Sequence, residues 1–230
     1  MAKIRTLTQL QDALDAEMVW RVKEISTFKL ATKPKSVGQK TFVRAGVALV
    51  YAHWEGFIKM SSEDYLNFVN NQGHLSRDLK ACFAVFALKG KLAQLADSKK
   101  SNLYIEAFEF VLSEMDKPAK MAMSSAIDTQ SNLTSKVFAN IATSLDISTT
   151  PYETKFNLID ESLVRRRNKV AHGEYLDLEV DDFLSLADDI IQMMRCYKND
   201  LQNAASLGGY KRPPIVPGMQ PPAGQNPPAH

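Results

Sequence analysis

Few of the residues that would place this chain in an oxidising or zinc-dependent class are present. Only two cysteines occur, Cys82 and Cys196. Both sit in apolar helical patterns and read as reduced core thiols, not as a disulfide framework. The four histidines and two cysteines show no zinc-ligand spacing, and no cofactor is expected. Charge of one sign is lacking as well, since 28 Lys and Arg stand against 26 Asp and Glu, a net charge of +2. A chain this close to neutral carries no basic coat, so any contact with nucleic acid must come from a local patch. Long hydrophobic runs are missing too. The longest strongly apolar stretch, Ala45 to Trp54, is too short to span a bilayer. Met1-Ala2-Lys3-Ile4-Arg5 leads into polar sequence without the apolar core of a signal peptide. A cytoplasmic location away from any membrane is the expectation.

What the chain does have is helical periodicity, with no convincing alternating strand. Its length of 230 residues and 45% hydrophobic content suit one large domain or two small ones with an ample core. Leu7, Leu10, Leu14, Met18, Val22 and Ile25 form one stripe, which predicts a first amphipathic helix over about 8–29. Thr32 to Gly38 reads as a loop. A second helix is expected over about 41–70, apolar on nearly every side from Ala45 to Ile58 and therefore central and buried. Further helices are expected over about 78–96 and 102–115, the latter stopped by Pro118, and a shorter one over about 133–145. Thr150, Pro151 and Glu153 have the pattern of an N-cap, a first-turn proline and a reciprocal cap. That helix should run to His172, with Gly173 as a left-handed stop. A last helix over about 180–202 carries Phe183, Leu184, Ala187, Ile190, Ile191, Met194, Tyr197 and Leu201 on one face. Seven of the ten prolines fall within the last 18 residues. The expectation is thus an all-α domain over 1–206 followed by a disordered Pro-rich tail over 207–230.

The chemistry-bearing segment is Arg167-Asn168-Lys169-Val170-Ala171-His172, just before Gly173. It combines a fixed cation, an amide and an imidazole that can move a proton near neutral pH. Arginine can grip a phosphate through two parallel charged hydrogen bonds. Arg165, Arg166 and Lys169 thicken the positive charge into the kind of patch a phosphate backbone needs. Each residue also has an ordinary structural reading. Arg167, at the edge of a stripe formed by Phe156, Ile159, Leu163 and Val170, can serve a salt bridge, and His172 can cap a helix C-terminus. Five residues separate the two side chains, which places them about 140° apart on an ideal helix, whereas Asn168 and His172 share a face.

Leu163-Val-Arg-Arg-Arg-Asn-Lys-Val-Ala-His-Gly-Glu-Tyr175 resembles the motif of HEPN-domain ribonucleases, an arginine and a histidine separated by four to six residues. Tyr51-Ala-His-Trp-Glu-Gly-Phe-Ile-Lys59, Ser131-Asn-Leu-Thr-Ser135 and Tyr152-Glu-Thr-Lys-Phe-Asn-Leu-Ile-Asp160 look like segments of the MAE-type, RiboL-PSP-HEPN-like branch. The similarity runs in order over about residues 5–205. It implies a HEPN-like helical bundle with extra helices, working as a homodimer that joins two motifs. The implied activity is metal-independent RNA cleavage, as a toxin or in phage defence, under control of an antitoxin or another regulatory protein. Arg167 and His172 would be the catalytic pair and Asn168 their polar companion, with Arg165, Arg166 and Lys169 contacting substrate. Some HEPN toxins carry a modifiable tyrosine two residues after the histidine. Here that position is Glu174, and Tyr175 next to it becomes the regulatory candidate. His53, Glu55 and Arg44 of the second helix read as supporting residues around Arg167, or as a satisfied core histidine and rim charges.

Two other functions stay open at this level. One is a catalytically inert HEPN-like module that binds a nucleotide, RNA or a protein. The other makes the Pro-rich tail a ligand for a groove on another protein.

Overall fold

The computed structural model describes residues 3–32, 38–96, 101–121, 123 and 126–213, with the backbone alone for 89–96. Most of the expected loop after the first helix, residues 33–37, lies outside the described residues, as does 214–230 of the Pro-rich tail. The architecture is all-α. It comprises α1 (Leu7–Thr32), α2 (Gln39–Asn70), α3 (Ala81–Ala96), α4 (Ser101–Met115), α5 (Ser135–Ser144), α6 (Arg165–Ala171) and α7 (Val180–Ser206). Among the described residues, extended pairing is limited to two isolated bridges, Leu75 with Pro118 and Leu79 with Lys211. No helix among them is long and apolar enough to cross a membrane.

Three long helices, α1, α2 and α7, pack on one another, and α2 also receives α6. The α1 stripe does what its spacing predicts for Leu10, Leu14, Met18 and Ile25, which are buried, while Leu7 at its start stays exposed. The apolar face of α7 is buried from Phe183 to Leu201, with Leu184 at its margin. On α2, Trp54, Phe57 and Ile58 are fully buried, but Ala45 and Ala52 reach solvent, so the helix is covered on most sides, not all. Trp54 and Phe138 of α5 form the centre of an aromatic cluster, with Tyr152 and Tyr197 5.0 and 5.6 Å from the Phe138 ring. Such tilted and edge-on packing adds to plain burial through ring quadrupoles.

The segment expected as one helix over 150–172 changes pitch twice. Thr150–Lys155 is a 3₁₀ turn, Leu158–Val164 is π-helical and α6 follows. The expected capping box does not form, and the cap lies one residue earlier than expected. Thr149 occupies the cap, its carbonyl accepts the Tyr152 N–H at 2.8 Å, and it makes no side-chain bond to the helix backbone. The end of α6 follows expectation. Gly173 has φ +73°, Gly173 N–H bonds the Val170 carbonyl and Glu174 N–H bonds the Lys169 carbonyl at 2.8 Å. This paired pattern is a Schellman stop, which requires a residue that tolerates the left-handed region.

The expected tail boundary at 206/207 needs correction. Leu207–Tyr210 turns back through Gly208 at φ +65°. Tyr210 is buried against Phe68, its carbonyl accepts the Lys80 N–H, and Arg212 N–H bonds the Asp78 carbonyl at 2.8 Å. One tyrosine with a core site to fill outweighs the proline content that follows it.

At Gly46 of α2 the side chains of Phe28 from α1 and Phe183 from α7 press against the backbone. A Cβ there would lie 2.5 Å from Phe183 Cζ and 3.0 Å from Phe28 Cε1. Replacing glycine by alanine in a helix gains up to about 1 kcal/mol, whereas forcing a methyl into a packed core costs about 1–3 kcal/mol. Gly46→Ala should therefore lower the unfolding free energy by about 1–2 kcal/mol in urea titrations.

Candidate functional site

His172 is the C-terminal cap of α6, carried past the last turn by the Schellman stop, and its side chain is exposed. It opens onto a shallow groove of about 420 Å³ lined by Asp160, Glu161, Val164, Arg165, Asn168, Lys169, His172 and Glu174. Asn168 and Lys169 join His172 there because residues three and four apart share a helical face. The groove's charges are mixed. Arg165 donates from Nη1 to Glu161 Oε2 at 2.7 Å, and that bond raises its already high pKa further. Asp160 accepts the Ser135 N–H and Oγ–H at 2.7 and 2.6 Å, capping α5.

Arg167 does not line this groove. Its guanidinium carbon stands 3.8 Å from the centre of the Tyr51 ring on α2, and Nη2 donates to the Ser131 carbonyl at 3.1 Å. Its Nε is buried without an acceptor. Tyr51, itself buried, accepts the Leu133 N–H at 2.8 Å through its hydroxyl. Burial pushes the Tyr51 phenol above its usual pKa, against the opposing pull of the Leu133 N–H and Arg167. A half-buried stack of this kind is worth about 0.5–2 kcal/mol, and the charged hydrogen bond about 1.5–3 kcal/mol. Arg167 is thus held against Tyr51 and the Ser131 carbonyl, apart from the groove onto which His172 opens.

The other expected residues do not all gather here: Arg166, Arg44, Tyr175 and Glu55 lie near the pair, and His53 does not. Arg166 is half-buried on the same helix. Arg44 donates from Nη2 to the Glu174 carbonyl at 2.9 Å and ties the segment after His172 to α2. Tyr175 is 71% exposed. Glu55 is half-buried and its charge opposes ionisation of Tyr51. His53 turns to α1, where its Nε2 lies 2.9 Å from Glu24 Oε2 and its ring meets the Trp20 edge at 5.1 Å. The α2 side chain that touches Arg167 is therefore Tyr51, two residues before His53. The sequence signal for it is the Tyr51–Lys59 segment, whose ring, not its polar residues, makes the contact. Among the described residues, no three His, Cys, Asp or Glu side chains gather as a metal-ligand set.

The chain belongs to the RiboL-PSP-HEPN family, whose model matches residues 16–203. That span takes in α2, the Ser131 turn, α6 and most of α7, so Arg167 and His172 both lie inside the matched region. No curated protein and no solved structure matches the chain.

His53 is 4% exposed. Burial lowers its pKa from 6.5, assisted by nearby Arg21 and opposed by Glu24. The folded state therefore binds this proton less readily than the unfolded chain, and stability is lost as pH falls below about 6.5. In urea unfolding between pH 7.5 and 5.5, wild type should lose more stability than His53→Gln. Parallel curves for the two proteins would dismiss this linkage.

Proposed function

We propose that the chain is a metal-independent endoribonuclease acting as a homodimer. The observation that carries this reading is the delivery of His172, by the turn at Gly173, onto an open groove that it shares with Asn168 and Lys169. RNA brings its own nucleophile. The 2′-oxygen attacks phosphorus, a base takes the 2′-proton, the bond to the 5′-oxygen breaks and an acid protonates that oxygen. His172 of one or both subunits serves these proton transfers. Arg167 stabilises the negative charge that builds on the non-bridging oxygens. The products carry 2′,3′-cyclic phosphate and 5′-hydroxyl ends, and DNA resists cleavage.

Because one chain holds Arg167 and His172 on different sides of α6, the active site in this reading is completed in trans. The guanidinium of one subunit reaches the imidazole groove of the other across a two-fold axis. Arg165, Arg166 and Lys169 flank the bound backbone. A regulatory partner of the antitoxin type finds Tyr175 accessible for modification, and a toxin or phage-defence role in the cytoplasm follows from the family resemblance. The Pro-rich tail as a ligand for another protein remains a separate proposal, on residues outside the described ones.

A second reading has its own support. Arg167 already has partners in Tyr51 and Ser131, which suits an inert HEPN module that binds RNA, a nucleotide or a protein without cutting.

Digestion of mixed RNA in EDTA separates the two. Arg167→Ala and His172→Ala should each lower cleavage at least about 100-fold with folding intact. Mixing the two inactive variants in equal amounts should restore about a quarter of wild-type activity, since half the dimers carry one intact composite site. If the variants cut as well as wild type, the enzyme reading fails. If both are inactive and the mixture stays so, the two groups do not act in trans.

A further inference from the structure

The contacts that hold Arg167 converge on a residue outside the motif. Tyr51 holds two groups at once. Its ring face lies under the Arg167 guanidinium, with 3.8 Å from the guanidinium carbon to the ring centre. Its hydroxyl accepts the Leu133 N–H at 2.8 Å. Leu133 is fully buried, so its backbone is anchored in the core. Two residues earlier, the chain passes through Gln130 and Ser131 at φ +53° and +58°, in the left-handed region that such residues rarely adopt. The turn is held there by Asp128, whose Oδ1 accepts the Gln130 N–H at 2.8 Å. Its outcome is that the Ser131 carbonyl meets Arg167 Nη2 at 3.1 Å.

We propose that Tyr51 is a positioning residue for Arg167. Its ring sets the plane of the guanidinium, and its hydroxyl, through Leu133, sets the carbonyl that takes one Nη2 proton. The inference rests on reading Arg167 as the cation that holds the scissile phosphate. A guanidinium has five N–H donors, and the structure gives one of them to Ser131. The Nη1 edge remains for an anion. With one face on a ring and one corner on a carbonyl, that edge can point in only one direction. A long arginine side chain otherwise spends conformational entropy each time it engages a phosphate. Tyr51 and the Ser131 turn remove that cost before substrate arrives. A tyrosine buried only for packing would predict lost stability and unchanged chemistry in the folded fraction.

Two variants of the full-length chain separate these roles. Tyr51→Phe keeps the ring and removes the acceptor for Leu133, and Tyr51→Met keeps much of the volume and removes the ring. In single-turnover cleavage of RNA, Tyr51→Met should lose about 10- to 100-fold in rate with substrate affinity changed less than about 3-fold. Tyr51→Phe, which keeps the ring but frees the Ser131 turn, should lose a smaller factor, about 3- to 10-fold. A second readout does not need cleavage. The Arg167 Nε–H resonance, assigned with Arg167→Lys, should be shifted by the ring current in wild type and Tyr51→Phe and return to the ordinary arginine position in Tyr51→Met. A DNA oligonucleotide serves as the uncleavable phosphodiester probe, and it should perturb this resonance less sharply in Tyr51→Met. Exchange of the Leu133 amide should speed up at least about 10-fold in Tyr51→Phe. If wild type does not cut RNA, the nuclease reading falls and the resonance and exchange data alone decide the positioning role. The proposal is overturned if folded Tyr51→Met cleaves like wild type, or if the Arg167 resonance ignores the ring. Should Tyr51→Met not fold, Leu133 exchange unchanged in Tyr51→Phe, or an Arg167 Nε–H at the ordinary arginine position in wild type, overturns it as well.

Discussion

A guanidinium at the seam between two packed helices must be given partners, because its charge cannot be shed and its donors cannot be left facing hydrocarbon. In this chain the requirement falls on Arg167, and it is met in part, by a ring and a carbonyl drawn from two other places in the sequence, while Nε stays buried without an acceptor. Much of the local architecture follows. Tyr51 must sit on the side of α2 that faces α6. The Ser131 turn must be folded back to reach the same spot, at the expense of two left-handed residues. Leu133 must enter the core to hold that turn against the tyrosine. The connection between α4 and α5 is thus fixed to α2 by a charged side chain of α6.

The placement of His172 obeys a different constraint. A helix must end before its last carbonyls can be satisfied, and Gly173 ends this one in a paired stop that leaves the preceding side chain on the rim. Arg167 is set by packing and His172 by termination, and nothing in the single chain brings them together. The π-helical stretch Leu158–Val164 lies ahead of both, so it rotates α6 as a unit and leaves their mutual angle unchanged.

Which parts of this were legible in the sequence can be argued residue by residue. The faces of α1 and α7 were readable because 3.6-residue spacing puts Leu10, Leu14, Met18 and Ile25, or Phe183, Ala187, Ile190 and Met194, on one side whatever they meet. Gly173 was readable because few residues tolerate its conformation. The π-helical pitch was not, since it depends on how Ile159 and Leu163 are seated against other helices and on no local signal. Tyr210 was hidden by the prolines after it. Tyr51 was hidden by its type, because an aromatic on a core helix has the same sequence appearance whether it packs a leucine or a guanidinium. The arginine and histidine themselves stood out, but their relation to one another depends on geometry beyond one chain.

The charge around His172 sharpens that last point. The groove presents Arg165 and Lys169 against Asp160, Glu161 and Glu174, so with a neutral imidazole its fixed charges sum to negative. Arg165 is already engaged by Glu161, and a polyanion entering this groove meets carboxylates as readily as cations. At a few ångströms and an effective dielectric near that of a protein surface, each unmatched carboxylate costs a phosphate about 1–4 kcal/mol. With Glu161 matched by Arg165, one lysine faces two carboxylates, Asp160 and Glu174, and Asp160 is partly neutralised by its two bonds to Ser135. If RNA is bound here, further positive charge must be brought from outside the groove. Such a reserve is held by Arg166 and Arg167 on the same short helix, which do not line the groove. A second copy related by a two-fold axis would supply that reserve without any change in the fold of either.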